Sequence, residues 1–153
     1  MERRFSMKPV LTLLLFVVLL LSIRAIPAEQ EVVLVVAHNS PIVELSALDI
    51  RKVYLGVSVT VDGHSIRSYR LNNDQRLNQI FMQSVIAMSE KSYERRLLSL
   101  TLKYGRPRPT EVDSPVMLME FLKRNPLGIG YMWKSDAEKD AEIRIVKVLW
   151  QSR

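Results

Sequence analysis

Chemistry in this chain centres on one stretch, Arg70-Leu71-Asn72-Asn73-Asp74-Gln75-Arg76. A helix is predicted to begin near Asp74, with Asn72, Asn73 or Asp74 as its cap. Free N–H groups and the positive end of the helix dipole favour an anion at such a start. Arg70 and Arg76 add guanidinium donors that suit a bidentate oxyanion. Asp74 works against this, because an ionised carboxylate repels an anion. The alternative is structural: Asn73 or Asp74 only caps the helix, and Arg70 pairs with a surface carboxylate. A second pair of donors, Asn39 and Ser40, follows the first predicted strand. Ligands of open α/β sheets gather beyond the carboxyl ends of strands. The competing reading of Asn39-Ser40 is an Asx-type turn before Pro41.

Other chemistries lack their residues. There is no cysteine, which removes thiolate metal sites, disulfides and a lipid-modified cysteine. His38 and His64 are the only histidines and have no ligand spacing to carboxylates or to each other. No Gly-x-Ser-x-Gly elbow is present. The expectation is therefore a non-enzyme with no metal and no cofactor. Arg106 and Arg108 lie between prolines and read as a solvated basic loop, with a partner or lipid headgroups as the alternative contact.

The elements that must position these residues begin after a targeting segment. Arg3, Arg4 and Lys8 precede an almost unbroken apolar run of 14 residues, Val10 to Ile23. That is short for a membrane span, which needs about 20 residues, and it fits a signal-peptide core. Residues 1–28 are read as a signal peptide cut after Ala28, which places the protein in the periplasm. An uncleaved anchor facing the periplasm is the alternative. The remaining 29–153 carry 18 basic and 15 acidic residues, a balance of +3. This is too small to argue for nucleic acid, though it tolerates an anionic ligand.

Glu31 to Ala37 is a continuous apolar, β-branched run, as expected for a strand buried on both faces of a parallel sheet. Ser46-Ala47-Leu48-Asp49 reads as a capping box, with Leu48, Ile50, Val53 and Tyr54 for packing and Gly56 as the stop. Asp62-Gly63 signals a hairpin, and Ser65 to Leu71 a second core strand. Three helical stripes follow: Leu77, Ile80, Phe81, Val85 and Met88; then Tyr93, Leu97, Leu100 and Tyr104 behind a Ser89 cap; then Leu118, Phe121 and Leu122 behind Ser114-Pro115. Pro126 ends the third helix. Gly128 and Gly130 allow a tight turn or close approach in the strand that follows. Ile143, Ile145 and Val148 suggest a last strand. Alternating strands and helices predict a single α/β domain, a mostly parallel sheet flanked by helices.

Several segments, in order, resemble the phosphate-binding proteins of ABC importers. Val36-Ala37-His38-Asn39-Ser40-Pro41-Ile42 is similar to the strand and loop entering that family's second lobe. Leu45 to Gly56 resembles its next helix. Asp62-Gly63-His64-Ser65-Ile66 with Tyr69-Arg70 resembles the strand leading to its arginine-containing ligand loop. Lys103-Tyr104-Gly105 with Pro107 and Pro109, then Lys123 to Tyr131, complete a match over roughly residues 32–135. The last of these resembles the family's Pro-Gly-x-Ile-Gly-Tyr segment. The resemblance implies a type-2 periplasmic-binding-protein fold in a one-lobe form. It implies an exported solute-binding domain of ABC transport, with phosphate or another small anion as ligand. Arg70 stands where the family carries the arginine of an Arg-x-Asp-x-Ser-Gly-Thr anion loop, but the Ser-Gly-Thr is missing, as is the first lobe's Gly/Ser-rich loop. The alternative is a ligand-free interaction module of the cell envelope that kept the fold and docks on a membrane transporter or sensor.

Overall fold

The computed structural model describes residues 30–152. The expected signal peptide, 1–28, lies outside the described residues.

Strand β1 (Glu31–Ala37) is followed by helix α1 (Ala47–Tyr54). The Ser46 hydroxyl accepts from the Asp49 N–H at 3.0 Å and donates to the Asp49 carboxylate at 2.7 Å, so the cap closes on itself. A small hairpin, β2 (Thr60–Val61) and β3 (His64–Ser65), turns through Asp62 and Gly63 with φ of 50° and 78°. Positive φ at both central residues is the turn that matches strand twist. Strand β4 (Arg67–Leu71) comes next. The expected strand from Ser65 is interrupted at Ile66, whose N–H goes instead to Val59 O at 2.9 Å.

Helix α2 (Gln75–Phe81) runs into a wider π turn over Met82–Ile86 and stops at left-handed Ala87. Helix α3 (Glu90–Tyr104), capped by Ser89, ends at Gly105, whose φ of 61° suits glycine. Then come β5 (Thr110–Val112), α4 (Pro115–Arg124), β6 (Gly128–Trp133), the short α5 (Lys134–Ala137) and β7 (Ile143–Gln151).

The main sheet has the order β5-β4-β6-β1-β7. β4 is parallel to both β5 and β6, while β1 is antiparallel to both β6 and β7. Four of the five strands therefore point the same way, and β1 alone runs against them. Val32 to Val36 are fully buried. Alternate side chains face opposite sides of a sheet, so both faces at β1 are covered. The apolar run reported this burial, not the direction of pairing.

The core is centred on three rings. Phe81 stacks on Tyr131 with centroids 3.7 Å apart, and Tyr54 meets Phe81 edge-on at 4.7 Å. Some stripe positions differ from expectation. Leu48 and Tyr104 are 60% and 70% exposed. α1 buries Ile50, Val53 and Tyr54, which leaves Leu48 on the outer side. α3 buries Tyr93 and Leu97 in its first half, and Tyr104 lies beyond them in the last turn. Phe121 is half-buried and stacks on Tyr69 at 5.6 Å.

Candidate functional site

β4 carries Arg70 into the interior near the carboxyl end of the strand. The side chain is almost fully buried. Its Nη2 donates to Glu90 at 2.6 Å and its Nη1 to Glu94 at 3.3 Å. Both glutamates come from α3, which the Ser89 cap starts beside β4. The guanidinium also lies 5.3 Å from the centre of the Tyr93 ring. Burial opposes the charge of Arg70, and the hydrogen bond and charge of Glu90 more than reverse it, so the group is held charged. Glu94 in turn accepts from Arg108, which extends the network to the loop after α3.

Tyrosines wall this arginine. The Tyr93 hydroxyl donates to Tyr54 O at 2.9 Å, and the Tyr54 hydroxyl donates to Tyr69 O at 3.0 Å. The Tyr131 hydroxyl donates to Asn78 Oδ1 at 2.5 Å. Burial pushes all three phenols up, so they stay neutral donors.

The loop beyond Leu71 leads into α2. Asn72 and Asn73 are exposed, and the Asn72 N–H is used by Val112 O at 3.0 Å. Asp74 caps the helix: its Oδ1 accepts from the Leu77 N–H at 2.9 Å and its Oδ2 from Trp133 Nε1 at 2.7 Å. Burial raises the Asp74 pKa, but its hydrogen bonds to Leu77, Trp133 and Arg76 outweigh this and hold it below 3.8. Arg76 is exposed, with its guanidinium 5.8 Å from the centre of the Trp133 ring.

Asn39 and Ser40 do not join this group. β1 runs opposite to β4 and β6, so its carboxyl end emerges at their amino ends. Val35 faces Gly130, and the Ser40 hydroxyl donates to Pro126 O at 2.5 Å while accepting from the Ile42 N–H at 3.2 Å. The Ser40 carbonyl receives Arg144 Nη2 at 3.0 Å. Asn39 is exposed beside Lys123 and Glu142. The length of β6 separates the two sets by roughly 17 Å at a rise near 3.3 Å per residue. Arg70, at the carboxyl end of β4, turns to Glu90 and Glu94, and Asp74 and Arg76, at the start of α2, turn to Trp133, with Asn72 and Asn73 exposed between them; Asn39 and Ser40 sit at the other end of the sheet. The expectation failed because the rule for strand ends assumes a parallel strand.

Sequence reasoning did not single out Glu90, Glu94, Tyr93 or Trp133 as neighbours of the site. Glu90 and Glu94 are one helical turn apart, which puts both on one face of α3. Nothing in their spacing shows that this face meets Arg70. Among the described residues, no group of histidine and carboxylate side chains is placed to hold a metal ion.

Asp74→Ala should lower stability by about 1–2 kcal/mol, from the lost cap and an unpaired Trp133 N–H. The folded-state pKa of Asp74 is depressed, so its contribution is complete above the unfolded value and is lost as pH falls through the folded one. Urea unfolding at neutral pH and below about pH 4 checks both: the gap between wild type and variant should narrow in acid. A gap that is absent at neutral pH would remove the cap from this account.

This fold is similar to a part of the substrate-binding proteins of phosphate ABC transporters. The chain is similar to an ABC-type phosphate transport receptor from Vibrio cholerae at 12% identity and a TM-score of 0.58, over 78% of this chain and 46% of that one. A putative phosphate ABC transporter substrate-binding protein with bound phosphate from Clostridium perfringens matches at 17% identity and a TM-score of 0.60, over 78% of this chain and 45% of that one. PstS from Borrelia burgdorferi matches at 14% identity and 0.58, over 78% and 47%. The chain thus spans a little under half the length of each. At such identities the likeness is one of fold. No protein-family model matches the sequence, and no curated protein does either.

Proposed function

We propose that this chain is an exported domain with the receptor fold that acts by docking on an envelope partner, a membrane transporter or sensor, and not by trapping phosphate itself. One observation carries this reading. The donors that would hold an anion already serve the protein's own carboxylates: Arg70 serves Glu90 and Glu94, and the start of α2 serves Asp74. An incoming anion would displace a carboxylate or sit beside one.

Export rests on the basic residues and apolar run of residues 1–28. Exported protein should begin near Glu29; an intact Met1 would instead support a periplasm-facing anchor. Among the described residues, no helix is long and apolar enough to cross a membrane.

A second reading is weak binding of phosphate or another small anion by Arg70, Asn72, Asn73, Asp74 and Arg76. It is favoured by the fold shared with two structures described as phosphate-transport receptors, one of them with phosphate bound. Arg70 Nε, buried and without an aligned acceptor, is a remaining donor.

Calorimetry against phosphate, sulfate and acetate separates the readings. The docking reading expects no saturable heat at millimolar anion. Saturable phosphate binding that Arg70→Ala weakens tenfold or more, the scale of a charge-assisted hydrogen bond, would overturn it in favour of the second. In-cell crosslinking should then join the wild type to an integral membrane transporter or sensor subunit. Recovery of no such subunit would count against docking.

A further inference from the structure

The amino end of β4 opens into a cleft of about 310 Å³, at the lower end of the range for small-molecule sites. Three arginines line it: Arg67 at the start of β4, and Arg106 and Arg108 from the loop after α3. None of its described lining residues carries a carboxylate. Arg106 is fixed by a neutral partner, its Nη1 donating to Gly56 O at 2.9 Å, so its charge stays uncompensated. The Arg106 carbonyl accepts from the Thr101 hydroxyl at 3.0 Å, which braces the loop on α3. Arg67 is exposed and has no ion-pair partner among the described residues. Only Arg108 is paired, with Glu94.

Hydroxyls accompany these charges. Ser58 and Ser65 meet at 3.2 Å across the hairpin, and Ser68 and Thr110 line the same cleft. The other walls are apolar, from Val53, Val57, Ile66 and Pro107.

We propose that this cleft binds a small organic phosphate, a phosphate monoester whose apolar body covers Val53 and Ile66. Guanidinium forks match phosphate oxygens, and a dianion answers two uncompensated charges better than a carboxylate does. Inorganic phosphate alone would leave the apolar walls bare. Arg70 lies at the other end of β4, and Arg108, through its pair with Glu94, links the two groups. The proposal does not depend on the docking reading.

Calorimetry of the purified protein with phenyl phosphate, inorganic phosphate and benzoate tests it. Phenyl phosphate should bind saturably and at least tenfold more tightly than the other two, with affinity falling as salt is added. Arg67→Gln and Arg106→Gln should each weaken it about tenfold, while Arg124→Gln on the end of α4 should not. Arg67 is exposed and unpaired, so its variant should fold normally and remains informative if Arg106→Gln loosens the loop. No saturation at millimolar phenyl phosphate, equal affinity for benzoate, or indifference to Arg67→Gln would overturn the proposal. Phosphate binding that responds to Arg70→Ala, but not to Arg67→Gln, would instead bear on the function proposed above.

Discussion

Phe81→Ala is expected to lower the free energy of unfolding by about 3–5 kcal/mol, the range for removing a buried aromatic ring. Phe81 is 2% exposed and lies face to face with Tyr131 and edge-on to Tyr54. The cost depends on whether the neighbours can close the hole. Here they are tied in place: the Tyr54 hydroxyl is committed to Tyr69 O and the Tyr131 hydroxyl to Asn78. Moving either ring inward would strain its hydroxyl's hydrogen bond, buried for Tyr54 and part-buried for Tyr131, so the cavity should persist. Urea denaturation should show a lower midpoint with an unchanged slope. Phe121, which is only half-buried, should lose about 1–2 kcal/mol in the same substitution, since less apolar surface returns to water. A Phe81→Ala loss under one kcal/mol would mean that the three-ring cluster does not form.

Local signals were legible where a residue type has one physical use. Ser46, Ser89 and Ser114 each cap a helix, and Asp62-Gly63 turns a hairpin, because their side chains or φ angles act within a few residues. The apolar run at β1 announced burial on both faces. It could not announce direction, because an antiparallel strand in the middle of a covered sheet buries the same atoms. That one ambiguity misplaced Asn39 and Ser40. The alternatives at Arg70 stayed open for a related reason. Glu90 lies 20 residues further along the chain, and only the packing of α3 against β4 brings it to 2.6 Å. The Asp74 cap was readable from its position, whereas its bond to Trp133 spans 59 residues. The cleft at Arg67 was hidden for the same cause: its arginines come from a strand and a loop about 40 residues apart in sequence, in keeping with the gap between Arg67 and Arg106. A wholly local reading finds caps and turns, and long-range pairing decides which charges remain free.

Gly128→Ala should cost about 2–3 kcal/mol, and more as valine, although it adds only a methyl group. Its φ is not in the left-handed region, so backbone freedom is not the reason. Space is. A Cβ there would lie 2.7 Å from Tyr69 Cε2, 3.0 Å from the Asn125 carbonyl oxygen and 3.1 Å from Leu122 Cδ2. Tyr69 is buried and its hydroxyl accepts from Asn125 Nδ2 at 3.2 Å; Leu122 is fully buried. The Asn125 oxygen is backbone and already receives the Gly128 N–H at 2.8 Å. None of the three has an easy retreat. β6 therefore meets β4 at Arg67 only because position 128 carries no side chain. At Gly130 the three atoms nearest the added carbon all belong to Leu118, with Cδ1 at 2.7 Å and Cδ2 at 2.9 Å. Leu118 is as fully buried as Leu122, but at Gly130 no backbone atom is among the three nearest neighbours, whereas Gly128 faces a carbonyl and an aromatic ring as well as a leucine, so Gly130→Ala should be the milder change. Thermal or urea unfolding of the two variants checks the order. If Gly130→Ala proved the more destabilising, the close approach of β6 to the turn at Asn125 would not be what limits residue size in this strand. Strain at Gly128 should also loosen the start of β4, so Arg67-dependent binding of phenyl phosphate should weaken in Gly128→Ala, while Gly130→Ala leaves it closer to wild type.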